Sequence, residues 1–450
     1  GQGYDFNPDT GQLIRNGLIL VNSTPADAGV FINDKPESDL TPASFPVPDG
    51  DYGIRISREG YRDWLKTVSV TGSEVEWLYY PLLLPNELTT NNLTVFLRPE
   101  FVGVSPSGDN LLVRQASNEP EFDLISYSTA GVSDEESLTL PDELLELGEG
   151  KLGDFAFEGW ASNNRHVLLT HSVGSRTEYI WLDLEDVSLS RNLTEDFDLN
   201  LREVRFIDGD AQQLYAIVTS DLRRINLEND TISTPIVRDL GRYVLHQDRF
   251  VVFVRNEGKA SQLGLIENDE EPQILQELGQ PASNYRLEFA EFDNVFYLSL
   301  LDLSAGQMSL ITNPNLVELG TSFTPLAFNQ AGTKYISFSR NGQFITMQAG
   351  DKFLTYDLDR KRRSSFEIDF KIGANDEAIW LDGYRLALAD NKSLLHMFEF
   401  DGANEADLLK SNSSLSPIYS SGQNVLYSFT PPAEGGRVFL QGTPFTIPEN

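Results

Sequence analysis

A chain of 450 residues, 40% of them hydrophobic and 11% aromatic, is too apolar to stay disordered and too long for one ordinary core, so two or more folded domains are expected. Its 68 acidic against 34 basic side chains give a formal net charge of -34, which repels a phosphate backbone and an anionic bilayer and removes nucleic acid from the expected partners. Cysteine is absent, which excludes disulfides, thiol nucleophiles, zinc-thiolate sites and iron–sulfur clusters.

From residue 17 to 84, short strands are broken by Pro and Gly. Tyr52, Ile54 and Ile56 alternate with Gly53, Arg55 and Ser57, and Val68 and Val70 alternate with Thr67, Ser69 and Thr71, the pattern of strands with one buried face. A small antiparallel β-sandwich is predicted. Its signals follow a specific order: Ser23-Thr24-Pro25, Gly29-Val30-Phe31-Ile32-Asn33, Leu40-Thr41-Pro42, Pro48-Asp49-Gly50-Asp51-Tyr52 and Glu59-Gly60-Tyr61. Pro25 and Pro42 preset φ, while Gly50 and Gly60 permit turn conformations. This order resembles the PEGA domain, with departures at Pro25-Ala26-Asp27-Ala28, which replaces the namesake tetrapeptide, and at Asn33-Asp34, where a glycine turn is usual. The resemblance implies an extracytoplasmic module of surface proteins that brings no enzymatic activity. The longest nearby apolar stretch, 79–85, falls far short of the roughly 20 residues that cross a bilayer. Because the sequence opens on Gly1 rather than Met, an export signal or anchor processed off or left out is expected to be the one tie to a membrane.

Residues 86–92 read as a linker, with Pro81 and Pro85 stiffening the approach. Beyond it one phrase recurs, polar turn residues followed at once by an apolar strand, with strands beginning at Leu111, Val167, Leu214, Phe250, Val295, Phe344, Leu386 and Val425. The mean spacing of about 45 residues fits a four-stranded propeller blade, whereas helical solenoids would show a period of 3.6. In the clearest copy, 335–344 forms the first hairpin, 352–358 the third strand and 365–368 the fourth. It resembles a WD40-type blade. No Trp-Asp pair is present, so the likeness is to WD40-like propellers broadly, and no binding code carries over. Eight copies predict eight blades, or seven if the weak fifth copy is irregular. A propeller usually completes one blade from both chain ends and so leaves no open edge; the short last repeat predicts that 94–97 supplies the closing strand. The expected fold is all-β: a PEGA-like sandwich over 1–85, a linker over 86–92 and a propeller over 93–450. Residues 141–147 are expected to add one or two helical turns after Pro141.

Candidate chemistry is sparse. His166, His171, His246 and His396 are the four histidines, and the first two, five apart on one strand, point to opposite faces, so no metal site is expected. Asp196-Phe197-Asp198-Leu199-Asn200 resembles the start of a calcium loop, but Leu201 stands where an EF-hand needs glycine, and a solvated acidic loop is the reading. No nucleophile elbow, zinc-protease helix or phosphate loop appears, so no catalytic residue and no cofactor are assigned. Several of the loops on the expected binding face read as long, and those at 172–178, 256–262, 390–393 and 431–437 carry one cation each, Arg176, Lys259, Lys392 and Arg437, on an otherwise acidic protein. They are either isolated solvated charges or a ring that attracts an acidic glycan or protein patch. The run Arg360-Lys361-Arg362-Arg363 reads as a solvated turn or as contact with an acidic neighbour, one in the same protein included. A PEGA-like module joined to a propeller resembles the membrane-anchored surface proteins predicted in small bacteria with reduced genomes. That resemblance implies a monomeric, cell-surface binding or scaffolding protein whose partner is a protein or glycan. The alternative is an enzyme acting on carbohydrate through carboxylates from separate blades.

Overall fold

The computed structural model describes residues 4–6, 13–146, 152–317 and 325–448. The N-terminal unit is a sandwich of two four-stranded sheets. In one, Leu13–Val21 pairs with Ala43–Pro48 and Tyr4–Phe6; in the other, Gly29–Ile32 and Gly50–Ser57 lie between Lys35–Leu40 and Trp64–Val70. The alternation read from the sequence fixes the buried faces: Ile54, Ile56, Val68 and Val70 meet Ile19, Val21, Val30 and Trp64 in one core. The sandwich departs from the expected antiparallel pairing at Val75–Leu78, which runs parallel to Leu13–Val21. The turn after Trp64–Val70 carries the chain to the opposite sheet, so Val75–Leu78 does not return as a hairpin partner.

After residue 90 the described residues form eight four-stranded antiparallel sheets. Seven take their strands in chain order, over 99–139, 154–192, 201–232, 240–278, 285–329, 335–367 and 379–410, and are numbered here from first to seventh. In the eighth, Ile418–Ser420, Val425–Phe429 and Arg437–Pro444 are joined by Asn91–Leu97, which pairs antiparallel with Arg437–Pro444 from Leu97 opposite Arg437 to Asn91 opposite Gly442. The recurring phrase of the sequence marks the second strand of each sheet, where both faces are buried, as in Phe250, Val251, Val252, Phe253 and Val254.

Each sheet packs on the next through its own hydrophobic cluster. The eighth packs on the first in the same way, with Phe96, Val438 and Leu440 against Leu111 and Val113. The ring is therefore closed, and burying one such Leu, Val or Phe stabilises it by about 1.5 to 3 kcal/mol. First strands of neighbouring sheets adjoin, so they line the axis. A single 3-10 turn, Asp142–Leu144, follows Pro141; Leu147, the far end of the expected helical stretch, lies outside the described residues.

Candidate binding face and central channel

Because each sheet runs up and down in chain order, its second-to-third hairpin and its connection to the next sheet lie on one face of the ring. Its first-to-second and third-to-fourth turns lie on the other. The sandwich docks on this second, turn face, against the sixth, seventh and eighth sheets. Lys66 Nζ lies 2.7 Å from Glu399 Oε2 and 3.0 Å from Asp401 Oδ2, and donates to Tyr80 Oη at 2.9 Å. Trp64 Nε1 donates to the other oxygen of Glu399. Burial opposes the charge on Lys66, but Glu399, Tyr80 and Asp401 outweigh it and hold the ammonium above the usual lysine range. The Tyr80 ring stacks on Tyr384 with centroids 4.7 Å apart, and Leu65 and Asn404 exchange hydrogen bonds of 2.9 and 3.0 Å. Two members of the basic run point into this junction: Arg360 Nη1 donates to the Val75 carbonyl at 2.9 Å, and Arg362 Nη1 lies 3.4 Å from Glu76 Oε2.

All four candidate cations lie on the opposite, hairpin face, and all four are exposed. Arg176 and Lys259 stand at the tips of the second and fourth sheets, Lys392 and Arg437 at those of the seventh and eighth. Two of the expected long loops are tight hairpins instead. Val173 pairs with Arg176 across Gly174 and Ser175, and Glu257 pairs with Ala260 across Gly258 and Lys259. Gly174 at φ 63° and Gly258 at φ 62° take the left-handed conformation that a two-residue turn demands, which lets polar residues such as Thr177 remain in the strand. The four charges are spread around the rim rather than gathered into one cluster, and Arg437 Nε donates to the Glu434 carbonyl at 3.2 Å.

The central channel holds charged groups that the sequence reading passed over. Glu158 lies on the first strand of the second sheet, Glu203 and Arg205 on that of the third, Arg242 on the fourth, Arg286 and Glu288 on the fifth, and Glu377 on the entry to the seventh. Burial first, then the charge of Glu377, pushes the Glu288 carboxyl up to about 7, with Arg205 working in the other direction. The third, fifth and seventh sheets are not neighbours, so side chains that feel one another across them reach the axis. Burial, followed by the nearby Arg286, lowers the Arg242 guanidinium, whose Nε is buried without a hydrogen-bond partner. Toward the turn face, between the first strands of the first, second, seventh and eighth sheets, a cavity of about 920 Å³ lies against Val102, Val104, Ala156, Arg340, Ile379 and Ile418. A charged residue inside an otherwise alternating first strand is the sequence signal for such a lining.

The remaining candidates are held in local contacts. His166 lies 3.3 Å from Asp183 and stacks on Trp181, whereas His171 Nδ1 lies 2.6 Å from Glu178 Oε1. Asp196 ends a short helix, Leu193–Asp196, and accepts from Arg191 Nε at 2.7 Å.

Residues 16–84 match the family model of the PEGA domain. No curated protein matches the chain. Among solved structures it is similar to the C-terminal WD40 domain of Sif2, at 10% identity over 80% of this chain and 99% of that one, with a TM-score of 0.50. The Dos1 propeller shares 12% identity over 79% of this chain and 95% of that one, with a TM-score of 0.47. BamB from Moraxella catarrhalis shares 10% over 78% and 99%, with a TM-score of 0.45. At such identity the likeness is one of fold: this all-β chain carries a PEGA domain followed by a WD40-like β-propeller. Among the described residues, no helix is long and apolar enough to cross a membrane.

Proposed function

We propose that this PEGA-domain propeller protein works outside the cytoplasm as a binding or scaffolding protein, offering the hairpin face of its ring to a protein or glycan and catalysing nothing. The observation that carries the reading is the docking of the sandwich on the turn face through Lys66 and Glu399, which among the described residues leaves the hairpin face and the channel mouth for a partner. The PEGA match supports the extracytoplasmic placement, as such domains are typically extracellular. Arg176, Lys259, Lys392 and Arg437 on the rim, together with Arg242 and Arg286 at the channel, suit a partner bearing carboxylates or sulfates, whose attraction weakens with salt.

The test is to probe the soluble chain against an array of sulfated and uronate glycans and against an envelope fraction, with and without joint reversal of Arg176, Lys259, Lys392 and Arg437 to Glu. Binding should fall at least tenfold in the reversed protein and weaken steeply with salt in the wild type. Unchanged binding after reversal would sink the reading.

A second reading, activity on carbohydrate, rests on two channel carboxylates from separate sheets, Glu288, which burial and Glu377 push up to about 7, and Glu377, which burial also raises. Turnover of aryl glycosides by the wild type that is lost in Glu288→Gln would establish it. No turnover by either protein leaves binding alone.

A further inference from the structure

On the outer rim of the seventh sheet, a buried histidine and two carboxylates converge in a way the spacing of the sequence does not announce. His396 lies on Leu394–Glu399 and Asp407 directly opposite it on Ala406–Lys410. The register slips between Leu394 and His396, and a bulge of this kind re-aims side chains at a sheet edge. Glu405 and Asp407 flank Ala406, so two carboxylates leave the extended chain on the same side. His396 Nδ1 stands 2.9 Å from Asp407 Oδ1 and 3.7 Å from Glu405 Oε1, and the three ligand atoms all lie within 4.8 Å of one another.

His396 is only 5% exposed, yet neither ring nitrogen makes a hydrogen bond of acceptable geometry. An imidazole buried without satisfying its nitrogens is costly unless something else satisfies them. The ring is locked face to face on Phe370, centroids 3.7 Å apart and planes 5° apart, so it cannot turn away to seek water. On its far side Nε2 lies 3.6 Å from Asp390 Oδ2, the place of the outer carboxylate that orients a metal-bound imidazole. Negative charge also accumulates here. Asp390, Glu405 and Asp407 all place carboxylate oxygens within 4 Å of the ring nitrogens of His396. Arg62 donates to the main-chain carbonyls of Pro85 and Asp407, at 3.2 and 3.3 Å.

We propose that His396, Glu405 and Asp407 form a site for a divalent transition-metal ion, with Zn²⁺ the ion their chemistry fits. Donors bound at about 2.0 to 2.2 Å around a tetrahedral ion sit roughly 3.3 to 3.6 Å apart, and the two distances to Nδ1 bracket that range. Three protein ligands leave a fourth position open to water or to a partner's donor. Ca²⁺ fits poorly, since it takes six to eight oxygens at longer range and one of these three donors is nitrogen. The site also has a structural consequence. The ion would clamp the strands on either side of the turn over 400–405, and that turn carries Asp401 and Asn404, which hold the sandwich. This inference is independent of the reading given for the hairpin face.

The experiment titrates zinc chloride into chelator-treated full-length chain by calorimetry, beside Asp407→Asn and His396→Gln. Asp407 is 68% exposed at its side chain, so its variant keeps the fold even if His396→Gln disturbs packing. The expected result is one tight equivalent of Zn²⁺ in the wild type, at least tenfold weaker in both variants, and not displaced by a tenfold excess of Ca²⁺. Bound Co²⁺ should show the intense visible absorption of a tetrahedral site, again lost in Asp407→Asn. Only weak, multiple binding that is the same in the wild type and Asp407→Asn would mean that zinc merely decorates an acidic surface, and would overturn the proposal.

Discussion

Glu288 lies midway along the inner strand of the fifth sheet, Tyr285–Phe292, where burial and the charge of Glu377 make ionisation costly. Below about pH 4.5, the ordinary glutamate value, it is protonated in folded and unfolded chains alike and costs nothing. From there to about pH 7 the folded chain keeps a proton that the unfolded chain has released, so stability falls as pH rises, and above pH 7 the full cost is present. Glu288→Gln should therefore raise the melting temperature at pH 8, by the equivalent of about 2 to 3 kcal/mol, and barely change it at pH 5. Scanning fluorimetry at the two pH values checks this, and an equal shift at both would place Glu288 in open water. Sequence reasoning missed the residue for a physical reason. Leu287-Glu288-Phe289 looks like any half-buried strand, and the polar side of an inner strand faces the axis only once the ring has closed. His396 escaped for a related cause, since its carboxylate partners reach it across a hairpin and through a bulge.

At the scale of elements, what could be read depended on how deeply an element is buried. Second strands such as Phe250–Glu257 and Val425–Phe429 announce themselves because hydrophobic residues fill both faces. Outer strands such as Gly131–Thr139 bury little, so their sequence is nearly that of a loop, which is also how the strand residues around Gly174 and Gly258 came to be read as long loops. The sandwich strands were legible from alternation, but the parallel pairing of Val75–Leu78 depends on a crossing between sheets that no local pattern encodes. Asn91–Leu97 makes a direct prediction. Its hydrogen bonds to Arg437–Pro444 tie the N-terminal side of the ring to its C-terminal strand, and Phe96, 2% exposed, plugs it into the cluster shared by the eighth and first sheets. Phe96→Ala should cost about 3 to 5 kcal/mol, as for other buried aromatic truncations. It should also unmask an open sheet edge. The expected readout is a melting temperature several degrees lower, with new protease cleavage between residues 86 and 97. Cleavage unchanged from the wild type would mean that the ring does not depend on this strand.

Taken whole, the molecule is a sandwich and a ring joined at one junction. The sandwich has its own buried cluster, whereas Leu82 and Leu84, just before the linker, pack with Leu426 of the eighth sheet and with Phe445 just beyond it. Hydrophobic contact alone would let the sandwich slide over the turn face; the buried Lys66–Glu399 pair resists that, together with the hydrogen bonds of Asn404 and Arg360. Its side chain is 8% exposed and that of Glu399 3%, so the pair is isolated from solvent, and Trp64 Nε1 is the other side-chain donor to Glu399. Removing one partner of a buried pair leaves an uncompensated charge, at a cost of about 3 to 5 kcal/mol, whereas replacing both with apolar groups is often neutral. Lys66→Met should thus spare each core and break the docking. Calorimetry that gives one transition for the wild type should resolve two for Lys66→Met, the sandwich melting first, and the double variant Lys66→Met with Glu399→Leu should regain much of the coupling. If Lys66→Met melts in one transition at the wild-type temperature, the orientation that leaves the hairpin face free is held instead by the Tyr80–Tyr384 stack and the arginines at 360 and 362.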